Sequence, residues 1–199
     1  MTRAAVVASQ RGRLLDAVAS AVAENGYAAT TVAHIVERAG VSRSTFYEQF
    51  DDKESAFIAA YDVGAEVVLG RLAEAIEALP GDADWRQVVR TAIETYMRVL
   101  ADEPAFARAL HVEALCAGPD TLERRAAIFD VFSARTRLAH DLARQEDPSR
   151  PELPDEAFRL HTGGMDELVR EQLRTRGAAA LPELVEPTVR ATLALLGEH

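Results

Sequence analysis

Thr31-Val32-Ala33-His34-Ile35-Val36-Glu37-Arg38-Ala39-Gly40-Val41-Ser42-Arg43-Ser44-Thr45-Phe46-Tyr47-Glu48-Gln49-Phe50 reads as two short helices around a tight turn. Thr30 or Thr31 can cap the first, whose apolar stripe is Val32, Ile35, Val36 and Ala39. A hydroxyl at that position accepts from an amide that the first turn leaves without a partner. Gly40 permits the positive φ that the turn needs. Val41 plugs the gap between the helices, and Ser42 caps the second. Phe46 and Phe50 then face inward, so Arg43, Ser44, Thr45, Tyr47 and Glu48 are left to face outward.

Outward from this segment the pattern stays helical. Leu14, Leu15, Val18 and Val22 form the stripe of a first helix from Gln10, stopped at Asn25-Gly26. Asp51 with Glu54 three residues later resembles a capping box that opens a fourth helix, running to about Leu79. A fifth follows Asp84, and a sixth starts at Asp102-Glu103-Pro104. A seventh spans roughly residues 120–145 and an eighth roughly 154–176. A ninth begins near Pro182 or Glu186. No stretch alternates with the two-residue period of a strand. The fold class is all-α: a three-helix helix-turn-helix domain over residues 1–51, then a helical domain over 52–199.

Composition alone does not suggest a nucleic-acid binder. The 199 residues carry a formal charge of -10, with 48% hydrophobic and only 6% aromatic side chains. Residues 1–55 hold Arg3, Arg11, Arg13, Arg38, Arg43 and Lys53 against Asp16, Glu24, Glu37, Glu48, Asp51, Asp52 and Glu54. That segment is close to neutral and not basic. The chemistry of the outward face is more informative. Short polar side chains at a helix start suit insertion into a major groove. Arg43 can pair with guanine, Ser44 and Thr45 can bond bases or phosphates, and the Tyr47 hydroxyl can reach a phosphate. Lys53, the only lysine in the chain, stands where its charge and the first helical amides can hold another phosphate. Two short core helices with a solvated polar face would share parts of this pattern. The cap, the turn, the two aromatics and Lys53 occurring together weigh against that reading.

The stretch from Thr31 to Lys53, with Val41-Ser42 and Thr45-Phe46-Tyr47 followed by Phe50 and Lys53, resembles the signature of the tetracycline-repressor (TetR) family. The resemblance is strongest over residues 10–60. It implies a DNA-binding head joined by a longer helix to a ligand-binding and dimerising domain. It puts Thr31 at the start of the second helix and Ser42 at the cap. It puts Arg43, Ser44, Thr45 and Tyr47 on the recognition surface and Lys53 at a phosphate-contacting position. Ser44 stands where glycine is common in the family, and Gln49 where histidine is common. Glu48 adds an acid that can accept from a cytosine amino group or repel phosphate. Arg11, Arg13 and the Arg3 arm are further candidate phosphate contacts, with simple solvation an equal alternative.

In the second domain, Phe106, Leu110, Glu113 and Ala117 share one face of a continuous helix. A carboxylate on an apolar stripe needs a partner. Arg108, Arg124, His161 or a ligand can supply one. His161 shares a stripe with Phe158, Met165 and Leu168. Tyr96, Phe106, Leu110, Glu113, Phe129, His161 and Met165 are the candidate effector contacts, with ordinary core packing or ion pairing as the alternative for each. Leu168, Val169 and Leu173, with Val189, Leu193 and Leu196, are candidates for a homodimer interface in the last two helices. Two-fold symmetry would then present two recognition helices to a palindromic operator.

The expected partners are therefore duplex DNA, a small-molecule effector and a second copy of the chain, with no cofactor. The five histidines have no metal-ligand spacing with each other or with Cys116. One cysteine excludes an internal disulfide and fits a cytoplasmic setting. No run of 18 apolar residues predicts a membrane span. An enzyme is not expected, since no GxSxG, HExxH, P-loop or dinucleotide fingerprint is present. The rival readings are a helical interaction module that has lost DNA binding and, behind it, a small helical enzyme.

Overall fold

The structure, a computed structural model, describes residues 10–198. The Arg3 arm lies outside them. Among the described residues the chain forms nine α-helices: α1 (Gln10–Asn25), α2 (Val32–Ala39), α3 (Arg43–Tyr47), α4 (Lys53–Glu77), α5 (Trp85–Asp102), α6 (Pro104–His111), α7 (Pro119–Glu146), α8 (Asp155–Thr175) and α9 (Val185–Leu195). Short 3-10 turns at Glu113–Cys116 and Ala178–Leu184 complete the regular structure, and no strand occurs among the described residues.

These helices gather into two units. The first takes residues 10–70 with Glu103–Arg125. Its α1 stripe of Leu14, Leu15, Val18 and Val22 is buried as the period requires. Ile35, Val36 and Ala39 of α2, Phe46, and Phe57 of α4 are buried alongside it. Phe57 meets the Tyr27 ring edge-on at 5.2 Å. The cap that opens α4 is made by Asp52 and Ser55, not by Asp51 and Glu54. Ser55 N–H donates to Asp52 Oδ1 at 2.7 Å, and Asp52 N–H donates back to Ser55 Oγ at 3.1 Å. Glu54 is engaged elsewhere: its Oε1 accepts from both Thr121 N–H and Thr121 Oγ1 at 3.1 Å.

The second unit takes Arg71–Asp102 with residues 126–198. Trp85, Val89, Ile93, Met97 and Leu100 make the buried face of α5. That face packs on the 178–184 turn and on α9. Arg86 and Arg150 both lie over the Trp85 ring, at 4.4 and 5.3 Å from its centroid. Arg86 also pairs with Glu146 (3.1 Å) and Glu198 (2.8 Å), and Arg150 donates to Leu196 O at 2.8 Å. The end of α9 is thus tied to the start of α5 and the end of α7.

The last two helices bury, within their own unit, most of the face expected to meet a partner. Val169, Leu173, Val189 and Leu196 are at most 8% exposed within this unit. The outward apolar side chains of α8 are Leu160 and Leu168, 76% and 44% exposed, with exposed Gly164 midway between them. Both sets are helically spaced. Periodicity finds apolar stripes but does not say which one its own protomer covers.

Candidate nucleic-acid interface

The helix-turn-helix is built from two caps and a turn. Thr31 is the N-cap of α2: its Oγ1 accepts from His34 N–H at 3.3 Å, and His34 Nδ1 accepts from Thr31 N–H at 3.4 Å. Gly40 ends α2 with φ 65° and ψ 39°, the left-handed conformation that an L side chain resists. Val41 N–H then reaches back to Val36 O at 3.1 Å. Ser42 caps α3, its Oγ accepting from Thr45 N–H at 3.1 Å. The same oxygen lies 2.7 Å from Ser44 Oγ and 3.0 Å from Thr45 Oγ1. Three hydroxyls therefore form one polar cluster at the start of a five-residue helix.

Burial separates the two sides of that helix. Phe46 is fully buried and Phe50 nearly so, with ring centroids 5.6 Å apart. Arg43 and Ser44 are exposed, Thr45 is half-buried, and Tyr47 is 53% exposed. Thr31 and Ser42 are exposed on the same short segment. A large aromatic ring left in water is unusual beside so well packed a pair. The arrangement offers a guanidinium, hydroxyls and a phenol to an outside partner.

Lys53 is placed differently from the other expected contacts. Its Nζ donates to Tyr27 O at 2.7 Å and Thr30 O at 2.9 Å, and lies 4.0 Å from the Tyr27 ring centroid. Two of the ammonium's three N–H groups are therefore spent inside the fold. The turn between α1 and α2 has carbonyls with no helical partner, and Lys53 satisfies them. Burial holds its pKa below the ordinary lysine value. Burial, then Glu54 and Asp52, push the Tyr27 phenol up to about 12. As a phosphate contact, Lys53 retains only its third N–H.

Glu113 also belongs to this turn. The expected continuous helix stops at His111, and the chain tightens into the 113–116 turn. That change of pitch carries Glu113 to two partners. Its Oε2 accepts from Tyr27 N–H at 2.9 Å, and its Oε1 pairs with Arg108 at 3.1 Å. The buried carboxylate is thus matched by an amide and a cation of its own unit. Nothing in the sequence marked Tyr27 as the residue gripped by Glu113 at its N–H and Lys53 at its carbonyl. That contact joins residues 86 positions apart.

The other candidate effector residues are divided. Phe106 and Leu110 lie in the first unit with Glu113, and Phe106 is seated against Gly64. Tyr96, Phe129, His161 and Met165 lie in the second. There Tyr96 meets Phe132 edge-on at 5.6 Å, and Phe129 O accepts from Ser133 Oγ at 2.9 Å. Met165 is half-buried. Among the described residues no three His, Cys, Asp or Glu side chains gather where a metal ion would sit. No helix among the described residues is long and apolar enough to cross a membrane.

His161 has a defined tautomer. Thr192 Oγ1 donates to Thr188 O at 2.8 Å, so it accepts from His161 Nε2, also at 2.8 Å. This leaves Nδ1 unprotonated and buried without a partner. Burial lowers the His161 pKa below its ordinary value near 6.5. The unfolded chain therefore binds this proton more readily than the folded one, and stability must fall as pH drops through about 6.5. His161→Gln, which keeps a donor for Thr192 but does not titrate, is expected to flatten the decline. Melting curves between pH 7.5 and 5 test this, and an unchanged pH slope in the variant would contradict it.

The sequence profile described as "Bacterial regulatory proteins, tetR family" matches residues 14–60. Over 102 residues the chain is 30% identical to an uncharacterized HTH-type transcriptional regulator of Mycobacterium tuberculosis, covering 51% of this chain and 50% of that protein. The chain thus spans about half the length of the first curated relatives it matches. Solved structures that share its fold include two FadR regulators. The fatty acid degradation regulator FadR from Bacillus halodurans superposes with a TM-score of 0.81 at 19% identity, covering 94% of this chain and 95% of that one. FadR from Bacillus subtilis, in complex with stearoyl-CoA, gives 0.78 at 20% identity, covering 94% and 98%. The matched residues are those that build the capped helices, the Gly40 turn and the start of α4, and over residues 14–60 this chain carries the sequence pattern of the tetR family of bacterial regulatory proteins.

Proposed function

We propose that the protein is a DNA-binding transcriptional regulator, acting as a ligand-released repressor that holds a palindromic operator as a homodimer. The observation that carries this reading is the division of α3. Phe46 and Phe50 anchor it from inside, while Arg43, Ser44 and Tyr47 stand outside with the Thr45 hydroxyl. Thr31 and Ser42 supply further hydroxyls to phosphates, and the third N–H of Lys53 a further donor. Residues 1–51 read DNA in this account, and residues 52–199 take the effector and make the dimer. The exposed Leu160, Gly164 and Leu168 face of α8 suits a two-fold contact, because one patch can meet its own copy. Tyr96, Phe106, Leu110, Phe129, His161 and Met165 remain the effector candidates, and Glu113 reaches the head through Tyr27. The stearoyl-CoA bound by the Bacillus subtilis protein makes a long-chain acyl thioester the first compound to try. A cytoplasmic location follows from this role.

An effector that binds a DNA-incompetent arrangement better would shift the protein away from its operator. The coupling would be about 1–3 kcal/mol and reciprocal between the two ligands. The test is a duplex selected by the protein from a random pool, followed by gel shift. Arg43→Ala and Tyr47→Ala should each weaken that complex about tenfold or more, the scale of one good base or phosphate contact. Both variants should melt with the parent, since the side chains are exposed. Parental affinity in both would overturn the assigned surface. A parent with no salt-dependent affinity for any duplex would instead be a helical interaction module.

A further inference from the structure

We propose that Arg11 and the end of the recognition segment form a separate phosphodiester-binding site, with Arg11 held in place by Gln49 and Phe50. The inference rests on the DNA-binding reading above and adds a contact that lies outside α3. Arg11 is exposed in the first turn of α1. Its Nη1 lies 3.5 Å from both Gln49 O and Gln49 Oε1. Its guanidinium carbon sits 4.6 Å from the centroid of the Phe50 ring. One face of the guanidinium is thus covered by an aromatic ring and one nitrogen is tethered. Nε and Nη2 have no partner among the described residues and keep their N–H groups for an outside acceptor.

The anchor is rigid. Phe50 packs on Phe46, the fully buried centre of the recognition segment. Arg11, although it belongs to α1, is thus in contact with the segment that follows α3. A cation already stacked and tethered loses less rotamer freedom when an anion arrives than a free surface arginine does. Arg13 lacks this preparation. Two residues further along the helix, it points about 200° round the axis from Arg11.

Charge supplies the second reason. Glu48, Asp51 and Asp52 are all exposed at the end of α3, and Lys53 is turned inward. A DNA backbone passing this end would meet three carboxylates. Arg11 is the cation the fold holds there. Its ligand is the phosphodiester and not a base edge. It lies at the end of α3 opposite Arg43, Ser44 and Thr45, which are the residues placed to read sequence.

The test measures affinity against salt concentration by fluorescence anisotropy, using the full chain, its selected duplex and a scrambled duplex of equal length. Arg11→Ala should weaken binding to both duplexes by the same factor. It should lower the slope of log affinity against log salt by about 0.9 per protomer, about a 3.5-fold smaller change between 50 and 200 mM salt. Gln49→Ala should weaken both duplexes while leaving the slope near the parental value, because the charge stays and only its placement is lost. Arg174→Ala, an equal charge change on exposed α8, should leave the slope unaltered. A parental slope in Arg11→Ala, the same slope loss in Arg174→Ala, or a loss confined to the selected duplex would overturn the proposal. If the parent shows no salt-dependent affinity for either duplex, the DNA-binding reading itself fails.

Discussion

Phe46→Ala is expected to cost about 3–5 kcal/mol of stability, the range for emptying a buried phenylalanine site. Phe46 is 0% exposed, and its ring contacts Tyr47 at 5.3 Å and Phe50 at 5.6 Å between centroids. The cavity cannot collapse easily, because α3 has only five residues and both of its ends are pinned by Ser42 and Phe50. The variant should therefore lose the recognition segment before it loses the second unit. In thermal unfolding followed by circular dichroism, an early transition of small amplitude should separate from the main one. DNA binding should vanish at temperatures where most of the helix content persists. A single transition at the parental temperature would mean that Phe46 is not the keystone of the head. Phe46→Leu, which keeps most of the apolar volume, should recover most of the loss.

Gly64→Ala should be nearly as damaging, for the opposite reason. A Cβ at Gly64 would stand 1.5 Å from Phe106 Cε2 and 2.0 Å from Cζ. The Phe106 ring lies against the bare surface that glycine leaves on α4, so an added methyl forces the ring out. Overpacking of this kind costs about 1–3 kcal/mol, and the depth of the clash argues for the upper part of that range. The decisive measurement is a double-mutant cycle. In a Phe106→Ala background the penalty of Gly64→Ala should largely disappear, a coupling of about 2–3 kcal/mol. Penalties that simply add would show that the ring does not depend on the glycine. The same contact bears on Phe106 itself. Its place on an apolar stripe made it a candidate effector contact, and in the structure it is half-buried against its own unit.

Much of the helix-turn-helix was legible because its signals are local. The Thr31 and Ser42 caps, the Gly40 turn and the inward Phe46 and Phe50 each depend on residues within four positions of one another. The opening of α4 was misread by one residue. Asp51 and Glu54 have cap spacing, but so do Asp52 and Ser55, and the latter pair makes the bonds while Glu54 turns to Thr121. Lys53 was harder. Its spacing fits a phosphate contact, yet two turn carbonyls more than twenty residues earlier draw its ammonium inward. The faces of α8 and α9 were ambiguous for the same reason. Each has apolar residues on a broad arc, and only packing shows that Val169 and Val189 are inside while Leu160 is out.

Taken alone, the residues of this chain determined an all-helical fold, the position of its capped helices and the side chains offered beyond α3. Periodicity, caps and turn glycines act over one or two helical turns, and that reach suffices for those features. Only the tertiary structure decided where the charges go: Glu113 to the N–H and Lys53 to the carbonyl of Tyr27, and Arg11, still exposed, to Phe50 and Gln49. A charge leaving water takes whatever partner folding brings within about 3 Å, and that partner can come from any distance along the chain.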